Sequence, residues 1–132
     1  MTGRVSNKVA FVTGGASGLG EAMVRLLVKE GANVVIADIS KEHGEALADE
    51  IGEGGRRAIF ISLDVRDESG WEEAMSYTID HFGKLNILVN NAGIAPSGDI
   101  NMPYDLWKLT LSINLDGVFL GTRAAIKAIS RC

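Results

Sequence analysis

The sequence predicts an α/β fold in which a doubly wound parallel sheet carries helices on both faces, and three observations lead to that expectation. Four short runs are apolar almost throughout instead of alternating, the pattern of strands covered on both sides. Between them lie segments with apolar residues at helical spacing, each closed by a glycine. A glycine-rich turn joins the first run directly to the first helical segment.

Taken in order, the first strand spans Val9 to Thr13, and the helix after it is read over Leu19 to Glu30, with Ala22, Met23, Leu26 and Leu27 as its apolar stripe and Gly31 as its stop. The second strand, Asn33 to Ala37, leads into a helix from Lys41 to Ile51 that ends at Gly52. The third, Ala58 to Ser62, leads into a helix from Glu68 to Phe82 that ends at Gly83. The fourth, Leu85 to Asn90, is followed by a loop from Ala92 to Pro103 and a helix from about Asp105 to Ile129. All three closing glycines fall where a left-handed helix cap is expected. Right-handed crossovers then give the strand order 3-2-1-4, a Rossmann-like arrangement. The strand order has its switch point between the first and fourth strands, and a ligand crevice opens there at the carboxyl ends. No repeat or linker interrupts the pattern, so residues 1–132 read as one domain.

Composition narrows the function classes. With 46% hydrophobic and 23% charged residues, the chain has the balance of a soluble globular domain. The single cysteine, Cys132, is the last residue, and His43 and His81 lack partners at ligand spacing, so neither a metal site nor a disulfide framework is expected. A net charge of −4 with one adjacent basic pair, Arg56 and Arg57, argues against nucleic acid as a partner. Met1 to Lys8 carries no apolar signal core, and the apolar runs are far short of a membrane span, so no membrane partner and a cytoplasmic location are expected. Glycine is the outlier, with 16 residues where average usage gives roughly nine.

Several of those glycines form Thr13, Gly14, Gly15, Ala16, Ser17, Gly18, Leu19 and Gly20, between the first strand and the first helix. Such a loop brings backbone N–H groups and a helix N-terminus close to a pyrophosphate. No Lys-Ser or Lys-Thr follows, which excludes a P-loop, and Ser17 is spaced wrongly for a nucleophile elbow. Asp38 stands at the end of the second strand, 18 residues after Gly20, where a carboxylate can accept hydrogen bonds from both ribose hydroxyls and repel a 2′-phosphate. Ile39 and Ser40 follow it without a base, so NAD is expected over NADP. Asp64 and Val65 end the third strand, and Asn90, Asn91, Ala92 and Gly93 end the fourth, on the same rim. Each alone reads as a loop cap or a polar turn, and Asn114 alone as a polar interruption of a helix face.

Together these residues resemble the short-chain dehydrogenase/reductase family in its NAD-preferring form. Thr13 to Gly20 is similar to the family's TGxxxGxG loop, Asn90 to Gly93 to its NNAG motif, and Asn114 to its helix asparagine. The resemblance implies that Asp64 reaches the adenine amino group and Val65 a ring nitrogen through its backbone. Asn91 and Gly93 would line the adenosine, Asn90 would hold the central sheet, and Asn114 would belong to a catalytic tetrad of Asn, Ser, Tyr and Lys. The implied activity is hydride transfer between NAD and a secondary alcohol or ketone.

The tetrad's Ser, Tyr and Lys have no counterpart after Asn114 within these residues, so the domain reads as truncated. Tyr104 and Lys108 have the Tyr-x-x-x-Lys spacing but precede Asn114; Tyr104 and Trp107 are read instead as seating the fourth helix on the sheet. An open fourth strand, and the stripe Leu111, Leu115, Val118, Phe119, Thr122, Ala125, Ile126 and Ile129, predict homo-oligomers or self-association. The competing reading is a non-catalytic nucleotide-binding or interaction fragment. A methyltransferase with a glycine-rich first loop is a further alternative, but it gives no reason for Asn90 to Gly93.

Overall fold

A computed structural model describes residues 3–130; Cys132, and with it the terminal thiol, lies outside the described residues. The elements are β1 (Val9–Thr13), α1 (Gly18–Lys29), β2 (Asn33–Asp38), α2 (Lys41–Ile51), β3 (Ala58–Ser62), α3 (Glu68–Phe82), β4 (Ile87–Val89), α4 (Tyr104–Leu111), a π-helical turn (Ser112–Asp116) and α5 (Gly117–Ser130). All strand pairs are parallel, in the order β3-β2-β1-β4, as the crossover rule requires.

Alternate residues of the strands feed two cores. Val9, Phe11, Val35, Ala37 and Ile59 face α3 and α5, against Trp71, Ala74, Met75, Ala125 and Ala128. Ala10, Val12, Val34, Ile36 and Ala58 face α1 and α2, against Val24 and Leu47. Each strand is therefore apolar on both faces for a separate reason, which is why the runs do not alternate. Trp71 anchors the first core, tilted against Phe11 at 5.5 Å between ring centroids, with its indole N–H donating to the Val65 carbonyl at 2.8 Å.

Four expectations are corrected. The buried residues of α1 are Gly20 and Val24, while Ala22 and Leu26 are exposed, because Gly20 packs against the Gly14 carbonyl and Val24, four residues on, shares its face. Gly83 does cap α3 in the left-handed region, but Gly52 sits at φ −85°. Gly52 is required by crowding instead: a Cβ there would lie 2.3 Å from the Ala48 carbonyl oxygen and 2.5 Å from that of Ala58. β4 pairs over three residues only, since Asn86 is tied to Val9 through its side chain and the chain after Val89 bends toward Thr13.

The last correction concerns the long helix after β4, which is broken by the π turn. Of the two uses open to its apolar stripe, an interface between copies or packing on the sheet, the sheet takes Ala125 alone, and the rest faces outward, with Leu115 at 62%, Phe119 at 60% and Ile126 at 62% exposed. Small residues make the contact: Gly117 meets Val65, Gly121 meets Trp71, and Ala125 and Ala128 complete the face. Only side chains of that size let α5 come close enough for the indole to fill the gap. Tyr104 and Trp107 are exposed rather than packed on the sheet; Lys108 lies over the Tyr104 ring, 5.4 Å from its centroid. Among the described residues no helix is long and apolar enough to cross a membrane.

Trp71→Ala is expected to destabilise the fold by about 3–5 kcal/mol, because it opens a cavity under α5 and leaves the Val65 carbonyl unpaired. Urea unfolding measures this, and an unchanged midpoint would place Trp71 outside the core.

Candidate functional site

The carboxyl ends of β1, β2, β3 and β4 open on one side of the sheet. A crevice of about 350 Å³ lies there, lined by Gly14, Ser17, Asp38, Ile39, Asp64, Val65, Arg66, Asn91, Ala92 and Gly93, with Leu63, Ile94 and Ile113. The segments after all four strands build it, and a buried hydroxyl joins the first to the fourth. Thr13, at the end of β1, is 1% exposed. Its Oγ1 donates to the Val89 carbonyl at 3.3 Å and accepts from the N–H groups of Asn91 at 3.0 Å and Ala92 at 2.9 Å.

The glycine loop is shaped from inside and left bare outside. Gly14 has φ +63°, and Gly20 packs so close that a Cβ would stand 1.9 Å from the Gly14 carbonyl oxygen and 2.6 Å from Asn91 Nδ2. Asn91 Nδ2 itself donates to that carbonyl at 3.2 Å. Gly18, by contrast, has φ +55° with open space around it, and Ser17 and Leu19 are exposed. Ser17 precedes α1 without a side-chain cap bond, so the first N–H groups of the helix carry the partial positive charge of an unsatisfied helix start. This surface fits a pyrophosphate.

The two aspartates are held differently. Asp38 Oδ2 accepts the Ala16 N–H at 3.1 Å and Oδ1 accepts the Ser40 N–H at 2.9 Å, so backbone from the glycine loop and from its own turn orients the carboxylate. Asp64 is gripped by one side chain. Arg66 Nε lies 3.0 and 3.2 Å from Oδ1 and Oδ2, Nη2 lies 2.6 Å from Oδ2, and the Arg66 backbone N–H donates to Oδ1 at 3.0 Å. The Arg66 side-chain hydrogen bonds are the chief reason that the Asp64 carboxyl is held below the ordinary aspartate value, and they raise the guanidinium in turn. A lowered folded-state value means that this stabilisation is present above the ordinary aspartate range and is lost as pH falls through the lowered value.

Asn114 sits at the centre of the π turn, at the far end of the crevice. Its Oδ1 accepts the Ile94 N–H at 2.9 Å and its Nδ2 donates to the Ile94 carbonyl at 2.6 Å. Asn114 Oδ1 would lie 3.1 Å from a Cβ on Gly93. The wide turn re-aims one side chain off the regular helical register, which clamps the chain just after Gly93.

Of the expected site residues, Gly14, Ser17, Asp38, Ile39, Asp64, Val65, Asn91, Ala92 and Gly93 line the crevice. Thr13 and Gly20 lie beneath it, Gly18 and Leu19 form the exposed start of α1, and Asn114 braces the far end. Asn90 turns away, its Nδ2 donating to Thr122 Oγ1 of α5 at 3.1 Å. Sequence reasoning missed Leu63, Arg66, Ile94 and Ile113. All four adjoin a motif residue, but adjacency does not say which neighbour turns inward.

Thr13→Val removes the hydroxyl while keeping the side chain's size, and a loss of about 1–3 kcal/mol is expected, together with faster amide exchange at Asn91 and Ala92. Thr13→Ser should restore both. Equal exchange rates in Thr13→Val and the parent would remove the hydroxyl from its tying role.

The model of the short chain dehydrogenase family matches residues 8–131. The chain is 46% identical to a 3-alpha-(or 20-beta)-hydroxysteroid dehydrogenase of Mycobacterium tuberculosis, over 96% of this chain and 48% of that protein. It is 44% identical to an NADP-dependent (R)-specific alcohol dehydrogenase of Lentilactobacillus kefiri, over 96% of this chain and 50% of that protein. A crystal structure of a short-chain dehydrogenase/reductase from Brucella melitensis, described as a glucose/ribitol dehydrogenase, superposes with a TM-score of 0.91 at 32% identity, covering 98% of this chain and 55% of the other. The chain spans about half the length of the curated relatives it matches.

Proposed function

The chain belongs to the short-chain dehydrogenase family, and from that premise we propose that it forms the nucleotide-binding part of an NAD-dependent oxidoreductase acting on a secondary alcohol or ketone. The observation that carries this reading is the convergence of the bare glycine loop, Asp38, Asp64 and Asn91 to Gly93 on one crevice. In this reading the N–H groups at the start of α1 hold the pyrophosphate, Asp38 accepts from the adenosine ribose, and Asp64 accepts from the adenine amino group. Asn91, Ala92 and Gly93 flank the adenosine ribose, while Val65 offers its backbone to the adenine ring. Bound there, NAD supplies the carbon that accepts or returns the hydride.

The preference for NAD over NADP rests on charge. Asp38 places a fixed carboxylate where a 2′-phosphate would lie, and Ser17, Ile39 and Ser40 offer no cation to offset it. The family includes an NADP-dependent relative, so the choice belongs to these residues rather than to the fold. Asn114 serves as a positioning residue that keeps the Ile94 backbone at the far end of the site. Tyr104 and Lys108 take no part: Lys108 is engaged with the ring face on the exposed surface of α4. Because the Ser, Tyr and Lys of the tetrad have no counterpart after Asn114, residues 1–132 by themselves bind nucleotide without oxidising alcohol. The outward stripe of α5 and the open edge of β4 favour self-association.

Calorimetric titration with NAD and NADP tests the cofactor. NAD is expected to bind more tightly, and Asp38→Ala to weaken NAD by about tenfold or more, as loss of a charge-assisted hydrogen bond predicts, while narrowing the gap to NADP. A folded chain that binds neither nucleotide would favour the interaction-fragment reading. Sedimentation velocity is expected to show association that Phe119→Glu reduces.

A further inference from the structure

We propose that Arg66 gates adenine recognition: its guanidinium occupies Asp64 when no adenine is present and gives the carboxylate up to the adenine amino group when the nucleotide enters. This rests on the nucleotide-binding reading and concerns a residue outside the glycine, aspartate and asparagine motifs. Asp64 and Arg66 both line the crevice. Three N–H groups of Arg66 reach Asp64: the Nε–H, shared between the two oxygens, the Nη2–H on Oδ2 and the backbone N–H on Oδ1. An incoming amino group therefore meets a carboxylate whose two oxygens are both already engaged by the guanidinium.

The surroundings decide which partner leaves. Asp38 is held by the Ala16 N–H of the glycine loop and the Ser40 N–H of its own turn, and neither can move without displacing its backbone. The Thr13 hydroxyl and the Asn91 amide are likewise tied to backbone. Arg66 is different, because its side chain is 44% exposed and that of Asp64 is 40% exposed. A long, solvated side chain withdraws into water at little cost, since exposed ion pairs are weak. The Arg66 backbone N–H remains on Oδ1 throughout and keeps the carboxylate oriented. Arg66 thus acts as an internal competitor that lowers affinity for adenine and holds the empty carboxylate in the geometry that adenine needs.

The test is calorimetry with NAD and with nicotinamide hypoxanthine dinucleotide, which has a carbonyl in place of the adenine amino group. Arg66→Ala is expected to raise NAD affinity by about two- to fivefold, the worth of an exposed ion pair, and to leave the hypoxanthine dinucleotide unchanged or weaker. Arg66→Gln, which keeps the stem without the charge, is expected to behave in the same direction. In the parent chain, the Arg66 Nε–H NMR signal is expected to shift when NAD is added and to stay in place with the hypoxanthine analogue. Unchanged or weakened NAD binding in both variants would overturn the gate while leaving the nucleotide site standing. A folded parent chain that binds neither dinucleotide would overturn the gate and the nucleotide reading together. Both variants alter an exposed side chain, so circular dichroism that matches the parent is expected to accompany each titration.

Discussion

One buried hydroxyl holds the site together. Thr13 closes β1, and through a single oxygen it binds the end of β4 and the two N–H groups that follow. The polar backbone that turns away from a parallel strand must find partners or stay wet, and here the neighbouring strand's last residue provides them. This sets the height of Asn91 and Ala92 above the sheet. It also brings the Asn91 amide onto the Gly14 carbonyl, which in turn leaves no room for a side chain at Gly20. The bare outer surface of the glycine loop is the other side of that inward crowding.

The two aspartates illustrate how equal chemistry acquires unequal roles. Asp38 is bonded to backbone on both oxygens and belongs to the frame of the loop. Asp64 is bonded to a solvated arginine and can exchange its partner. In the same way, the helix after β4 divides its labour between two faces. Small residues press α5 onto Trp71 and Val65, and the large apolar residues are left outside. The π turn between α4 and α5 is what lets one helix both close a core and aim Asn114 at Ile94.

Much of the frame was legible because parallel sheets impose strong local patterns. The strand cores at 9–13, 33–37 and 58–62, the helices at 41–51 and 68–82, and the order 3-2-1-4 all follow from apolar runs, glycine stops and crossover handedness. The faces of α1 and α5 were not legible. In α1, the seating of Gly20 against the Gly14 carbonyl put Val24 inside and Leu26 out. In the π turn and α5, hydrophobicity left open whether Leu115, Phe119 and Ile126 meet the sheet or another copy, and the packing distance set by Trp71 gave the sheet contact to glycine and alanine. Tyr104 and Trp107 misled for the same reason: bulk and apolarity favour burial only where a facing element leaves space.

By itself, then, the sequence determined the order of the elements, the glycine loop, and the acidic and asparagine residues at the strand ends, because each is written in neighbouring positions along the chain. Only the tertiary structure decided that Thr13 ties β1 to β4, that Arg66 covers Asp64, and that Asn114 faces Ile94 across a π turn. These contacts join residues through side-chain direction and helix rotation, many of them between positions far apart in the chain. A pattern of residue types does not encode such directions until the elements pack and leave each side chain one place to go.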